Sequence, residues 1–109
     1  RVLRGSVLDV AVDIRAGSAT FGQWVSAVLS AENGTQIFVP KGFAHGYLTL
    51  EPDTEVFYKV SDYWSRVHEG GIAWDDPAIG IDWGVPADSV NMVDRDRQFP
   101  RLADLKPVF

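Results

Sequence analysis

Residues 37–60 read IFVPKGFAHGYLTLEPDTEVFYKV, and the rest of the chain is interpreted from this stretch. Residues 43–50 and 55–60 are rich in apolar, aromatic and β-branched side chains, a composition typical of strands. The residues EPDT at 51–54 have the composition of a turn, and Pro40 and Gly42 suit a bend before the first strand. The pattern therefore predicts two adjacent strands joined by a turn.

Three side chains with useful chemistry lie on these two predicted strands: His45, Tyr47 and Tyr58. On adjacent strands, an imidazole and two phenols could converge in one concave pocket. A plainer interpretation stands beside this one. A histidine flanked by small residues in an apolar strand is most often structural, and a strand tyrosine is usually a packed ring with its hydroxyl at the surface.

The rest of the chain predicts further short strands and no strand–helix alternation. Residues 6–14 alternate, with Leu8, Val10, Val12 and Ile14 expected to face the core. Further strands are expected at 21–29, at 36–39 and near Trp74, and short helical turns within 91–105, interrupted at Pro100. The sequence therefore predicts a single all-β domain over residues 1–109, an antiparallel sandwich or small barrel.

Composition excludes several classes of function. The net charge of −5 argues against nucleic acid or an anionic membrane as the main partner, although local cations could still hold a phosphorylated substrate. No apolar run approaches the ~20 residues of a membrane span. The chain has no cysteine, which is compatible with a cytoplasmic location. His45 and His68 stand apart from each other, so no metal site is expected.

The motifs VPKGFAHGYLTL, EVFYKVSDYW and WDDP, together with VLRGSVLDVAVDIR and NMVDRDRQFPRLAD, closely resemble the dTDP-4-dehydrorhamnose 3,5-epimerase family. The resemblance implies a cupin-like jelly roll, here the C-terminal portion without the N-terminal strands, that acts as a homodimer without a cofactor. The implied substrate is a dTDP-4-keto-6-deoxy-hexose. Its C3 and C5 are epimerised through an enolate by general acid–base catalysis.

The resemblance also assigns roles to residues. Tyr58 matches the proton donor, and Asp96 matches the carboxylate that orients the catalytic histidine. His45, Glu69 and Arg95 match substrate contacts, and Trp64 stands where the family commonly has a pocket-shaping tyrosine. Against these roles, Tyr58 could be a packed ring, and Asp96 lies in a charge run of the kind that usually forms a solvated face.

The family's catalytic histidine and its enolate-stabilising lysine would both precede Arg1, which is not a methionine. We therefore expect a fragment that is truncated at its N-terminus and inactive by itself. Two alternatives stay open. One is a non-catalytic sugar-nucleotide-binding or structural jelly roll. The other is a mono-epimerase or ketoisomerase of dTDP-sugars, which the substitution at Trp64 favours.

Overall fold

The computed structural model describes residues 1–63, 65 and 70–106. Five strands and three short helical turns occur in this part of the chain. The strands are β1 (Val2–Arg4), β2 (Ser6–Asp13), β3 (Trp24–Ser30), β4 (Phe43–Thr49) and β5 (Glu55–Val56). A single α-helical turn, α1, spans Asp94–Arg97, and 3₁₀ turns span Ala87–Ser89 and Leu102–Asp104. The all-β prediction is confirmed.

Strand β2 is the centre of a three-stranded antiparallel sheet with the order β3-β2-β4. Val10 lies opposite Ser26 of β3 and Gly46 of β4. The unbroken alternation of β2 explains this central place, because a strand with partners on both sides needs side chains that pack on a pleated surface. Strands β1 and β5 form a separate antiparallel pair.

The predicted pairing of the two strands in residues 43–60 is wrong. Strand β4 pairs with β2 and β5 pairs with β1, so residues 43–56 run as one bent path beside residues 2–13. The bend is at Gly5, which has a φ of 81° and where a Cβ would clash with Thr54. Thr54 Oγ1 donates a hydrogen bond of 2.8 Å to the carbonyl of Glu51. The polar residues 51–54 form a corner, and corners use the same residue types as hairpin turns.

The expectation that β2 buries only one face is also wrong. On one face Val10 and Val12 pack with Ile79, and the partly buried side chains against this cluster include Trp24, Trp83 and Leu102. On the other face Val7 packs with Val2 and Leu29. Asp9, Ala11 and Asp13 on this second face are buried as well. Both faces of the central strand are covered, so the carboxylates at positions 9 and 13 need partners inside the protein.

Several predicted boundaries shift. Strand β3 begins at Trp24 and not at 21, because Gly22, with a φ of 82°, turns the chain and donates to the carbonyl of Asp13 at 2.7 Å. Residues 36–39 and 70–74 contain no strand. The helical turns expected in 91–105 are confirmed on either side of Pro100. Among the residues described, we find no helix with the length and apolar character needed to cross a membrane.

Candidate functional site

A cavity of about 850 Å³ lies between the central sheet and the segment of residues 70–105. Its walls are mainly apolar, and the sheet contributes Val10, Val12 and Gly46. Trp83 forms part of the opposite wall and donates its indole N–H to the carbonyl of Trp74 at 3.0 Å. The polar groups on its lining include His45, Tyr47, Asn91 and Asp96. A large, mostly apolar cavity with a few polar groups has the composition of a small-molecule site.

His45 forms a close pair with Asp9. Its Nε2 lies 2.8 Å and 2.9 Å from the two carboxylate oxygens of Asp9. Asp9 is only 2% exposed, whereas the side chain of His45 is 40% exposed. The antiparallel register produces this contact, because Asp9 lies opposite Tyr47 and Ala11 lies opposite His45 on the same face of the sheet.

The pair fixes the chemistry of the imidazole. An ionised carboxylate only accepts hydrogen bonds, so Nε2 carries the hydrogen and donates to Asp9. Nδ1 makes no hydrogen bond within the part of the chain that the structure describes, and it is the atom through which His45 can contact a ligand. When the ring is protonated, Asp9 balances its charge and Nδ1 becomes a donor.

Asp96 lies on the opposite side of the cavity, on α1. Its side chain is half-exposed, and one of its oxygens is 3.9 Å from Nε of Arg95. Helix α1 has no side-chain cap and buries none of its residues, so contacts further along the chain must hold it in place. The cavity lining thus includes the His45 imidazole on the sheet and the Asp96 carboxylate on the segment of residues 70–105, while Asp9 pairs with His45 without lining the cavity.

A second buried carboxylate, Asp13, lies at the end of β2. It accepts hydrogen bonds from Nε and Nη2 of Arg15, both at 3.0 Å, and from the hydroxyls of Ser18 and Thr20. The Arg15 side chain first, and the two hydroxyls next, hold the pKa of Asp13 far below its usual range. The guanidinium of Arg15 also lies 5.0 Å from the ring centroid of Phe43, which lines the cavity.

Comparisons with known proteins identify the family of the chain. The sequence model of the dTDP-4-dehydrorhamnose 3,5-epimerase family matches residues 1–104. The chain belongs to this family. One relative, the dTDP-4-dehydrorhamnose 3,5-epimerase of Sinorhizobium fredii, is 50% identical over 109 residues, which are 100% of this chain and 55% of the relative. The chain spans about half the length of the curated relatives it matches.

Solved structures of epimerases also match the fold. The dTDP-4-dehydrorhamnose 3,5-epimerase of Bacillus anthracis, with TDP and pyrophosphate bound, is 46% identical with a TM-score of 0.88 over 93% of this chain and 57% of its own. A Legionella pneumophila 3,5-epimerase in complex with dTDP-4-keto-L-rhamnose is 40% identical with a TM-score of 0.84. The match covers 96% of this chain and 55% of the Legionella chain. The cupin-like fold class expected from the sequence is confirmed by these epimerase structures.

The structure brings together some of the residues that the epimerase resemblance assigned. His45 and Asp96 line one cavity, and Arg95 lies beside Asp96 without lining it. Tyr58 is 73% exposed, follows β5 and is not on the cavity lining. Trp64 and Glu69 lie outside the described residues. The roles of these side chains stay predictions.

Asp9 is the functional candidate that the sequence reasoning missed. Strict alternation assigned it to a solvent face together with Asp13, because a carboxylate in an amphipathic strand is normally exposed. One signal was available, since Asp9 and Asp13 share their predicted face with Val7 and Ala11. A face that mixes carboxylates with apolar side chains is a poor solvent face, but its partner His45 could be found only from the strand register.

Proposed function

We propose that this chain supplies the part of a dTDP-sugar 3,5-epimerase that binds the 4-keto-6-deoxy-hexose and stabilises the enolate formed from it. The observation that carries the proposal is the His45–Asp9 pair, with Nδ1 of the ring unengaged among the described residues, on a cavity that Asp96 also lines. Membership of the epimerase family supports the reaction class. The dTDP-sugar and TDP complexes of the related structures support the substrate class.

The chemistry requires a group that stabilises negative charge at the C4 oxygen. When a base removes the proton from C3 or C5, the electrons of the broken C–H bond move onto this oxygen and form an enolate. A protonated His45 would donate from Nδ1 to the enolate oxygen, while Asp9 holds Nε2 and balances the ring charge. Return of a proton to the opposite face of the carbon inverts the centre, and Tyr58 is the predicted donor for this step.

The partners and setting extend this proposal. A homodimer is expected from the family resemblance, and the exposed apolar side chains Val25 and Val28 on the edge strand β3 are compatible with association. Analytical ultracentrifugation of the purified chain tests it, because a single species at the monomer mass would contradict a dimer. We also propose that the protein acts in the cytoplasm and needs no cofactor.

Deuterium uptake from solvent tests the enzymatic role. We would join the portion of the Sinorhizobium fredii relative that this chain does not match to residues 1–109, and incubate the chimera with dTDP-4-keto-6-deoxyglucose in D₂O. Proton NMR should show loss of the C3 and C5 signals. His45→Asn should slow this exchange by about 100-fold or more, as expected when one oxyanion donor is removed. Lys41→Asn changes an exposed residue and is the matched control.

The same assay separates the alternatives. A folded chimera that binds dTDP-sugar without exchanging either proton would be a binding module, and the enzymatic proposal would fail. Exchange at C3 alone would identify a mono-epimerase. The unjoined chain is expected to take up no deuterium, because the residues that match the family motifs do not include its catalytic histidine or lysine. Robust uptake by residues 1–109 would show that the base lies within this chain.

A further inference from the structure

Asp76 is a buried carboxylate that the proposed chemistry does not use. It is 4% exposed, and each of its oxygens accepts one backbone hydrogen bond. Oδ1 accepts from the amide of Ala78 at 2.9 Å, and Oδ2 accepts from the amide of Leu102 at 2.8 Å. The first bond is local, within the turn of residues 76–80, whereas the second joins two segments that are 26 positions apart in sequence. A buried carboxylate used in this way fixes one segment against another.

Two further contacts join the same segments. The amide of Ala73 donates to the carbonyl of Pro100 at 2.8 Å. Gly71 lies so close to the ring of Phe99 that a Cβ at position 71 would be 2.6 Å from it. The chain at 99–102 is therefore held at three successive points along residues 71–76. Of these three contacts, the hydrogen bond to Asp76 is the one that involves a charged side chain.

The tethered segment carries part of the cavity wall. Asp96, Phe99 and Leu105 all line the cavity, and they lie on either side of the tether at Leu102. Helix α1 is four residues long and has neither a side-chain cap nor a buried residue. Its own hydrogen bonds cannot fix its position relative to the sheet, because an isolated turn of this length is unstable in water. Its placement depends on the residues that follow it.

We propose that Asp76 is a positioning residue, which holds the segment with Asp96 and Phe99 against the cavity that contains His45. The catalytic meaning of this role rests on the proposed function, but the tether itself does not. Both oxygens are needed as acceptors. An asparagine has one acceptor oxygen and an NH₂ group, so one of the two backbone amides would face another donor. The backbone bond from Leu102, and then that from Ala78, lower the pKa of Asp76, in agreement with a carboxylate that is ionised in the fold.

Amide hydrogen exchange of the 109-residue chain, measured by NMR, tests the tether. In Asp76→Asn we expect the amide of Leu102 to exchange at least tenfold faster, while the amides of β2 keep their rates. The contact between the Phe99 ring and Gly71, seen as a nuclear Overhauser effect in the wild type, should be lost. Asp75→Asn changes the exposed neighbouring carboxylate and should leave both readouts unchanged. Asp76→Glu, which keeps both acceptors, should restore part of the protection.

Two outcomes overturn the proposal. One is unchanged exchange at Leu102 together with a retained Phe99–Gly71 contact. The other is an equal acceleration in β2, which would mean that Asp76 contributes only to global stability. If Asp76→Asn does not fold, the tether can still be tested in the wild-type protein. A scalar coupling between the Leu102 nitrogen and the Asp76 carboxyl carbon must then be detected across the hydrogen bond, and its absence would overturn the proposal.

Binding provides the functional readout. Isothermal titration with dTDP-4-keto-6-deoxyglucose should show affinity reduced at least threefold in Asp76→Asn and unchanged in Asp75→Asn. Equal affinity in both variants would overturn the positioning role even if the tether is real. If the wild-type chain does not bind this ligand at all, the proposed function fails, while the exchange data still report on the tether.

Discussion

Strand β2 has two buried carboxylates on the same face, and they are used in different ways. Asp13, at the end of the strand, is 1% exposed and accepts hydrogen bonds from Arg15, Ser18 and Thr20. Asp9, in the middle of the strand, is equally buried, but within the described part of the chain its side chain is hydrogen-bonded only to His45. Arg15 is permanently charged, whereas the charge of a histidine can change near neutral pH.

The comparison distinguishes a carboxylate with a structural role, Asp13, from a carboxylate with a proposed functional role, Asp9. The donors to Asp13 in the described part of the chain come from residues within seven positions of the sequence, so local contacts close the corner of residues 13–20. At Asp9 the partner is 36 positions away and half-exposed, and its second ring nitrogen makes no hydrogen bond among the described residues. Asp13, whose described hydrogen bonds are all made locally, stabilises the fold. Asp9, whose partner is an imidazole, instead orients the His45 ring.

The largest effect is expected from Asp13→Asn. The substitution removes the charge that the guanidinium of Arg15 faces, and replaces an acceptor oxygen with a donor beside two hydroxyls. We expect the melting temperature to fall by on the order of 10 °C, measured by differential scanning calorimetry. Asp62→Asn is the control, because Asp62 forms an exposed ion pair with Lys41 at 3.6 Å and the loss of such a pair should be nearly neutral. Equal shifts in the two variants would contradict the structural role of Asp13.

Acid should weaken the same corner. The folded-state pKa of Asp13 lies well below the ordinary value of 3.8, so the unfolded chain binds a proton at higher pH than the folded chain does. The stabilisation is fully present above 3.8 and is lost progressively as the pH falls below it. Urea unfolding between pH 5 and pH 2 should therefore show a steeper decline in the wild type than in Asp13→Asn. Parallel curves would mean that Asp13 is not the group responsible.

The smallest effect on stability is expected from Asp9→Asn, which should change the melting temperature by less than about 4 °C. An amide can still form a hydrogen bond with His45, but it no longer requires the hydrogen to be on Nε2. We therefore expect ¹⁵N NMR of the imidazole to change from one Nε2–H tautomer to a mixture, with His68 as the internal reference. An unchanged tautomer together with a large loss of stability would place Asp9 in the same class as Asp13.

These differences set the limit of prediction from the sequence. The central strand, the helical turns around Pro100 and the family motifs around His45 and Asp96 follow from local patterns of side chains, which a sequence displays directly. The pairing of β4 with β2, and of β5 with β1, depends on the corner of residues 51–54 beside Gly5, and these residues have the composition of an ordinary hairpin turn. The predicted hairpin is the reason that Tyr58 is expected near His45. Asp9 is expected in solvent for another reason, because strict alternation predicts a strand with only one buried face.

The sequence by itself determined the all-β class, the family and the residue types available for acid–base chemistry, because strand alternation and family motifs are properties of short segments. The tertiary structure alone decided which carboxylate meets which donor. It placed Asp9 against His45 through the strand register, and Asp76 against Leu102 through the path of the covering segment. Contacts between distant residues depend on how strands and loops pack in space, and local patterns carry no information about that packing.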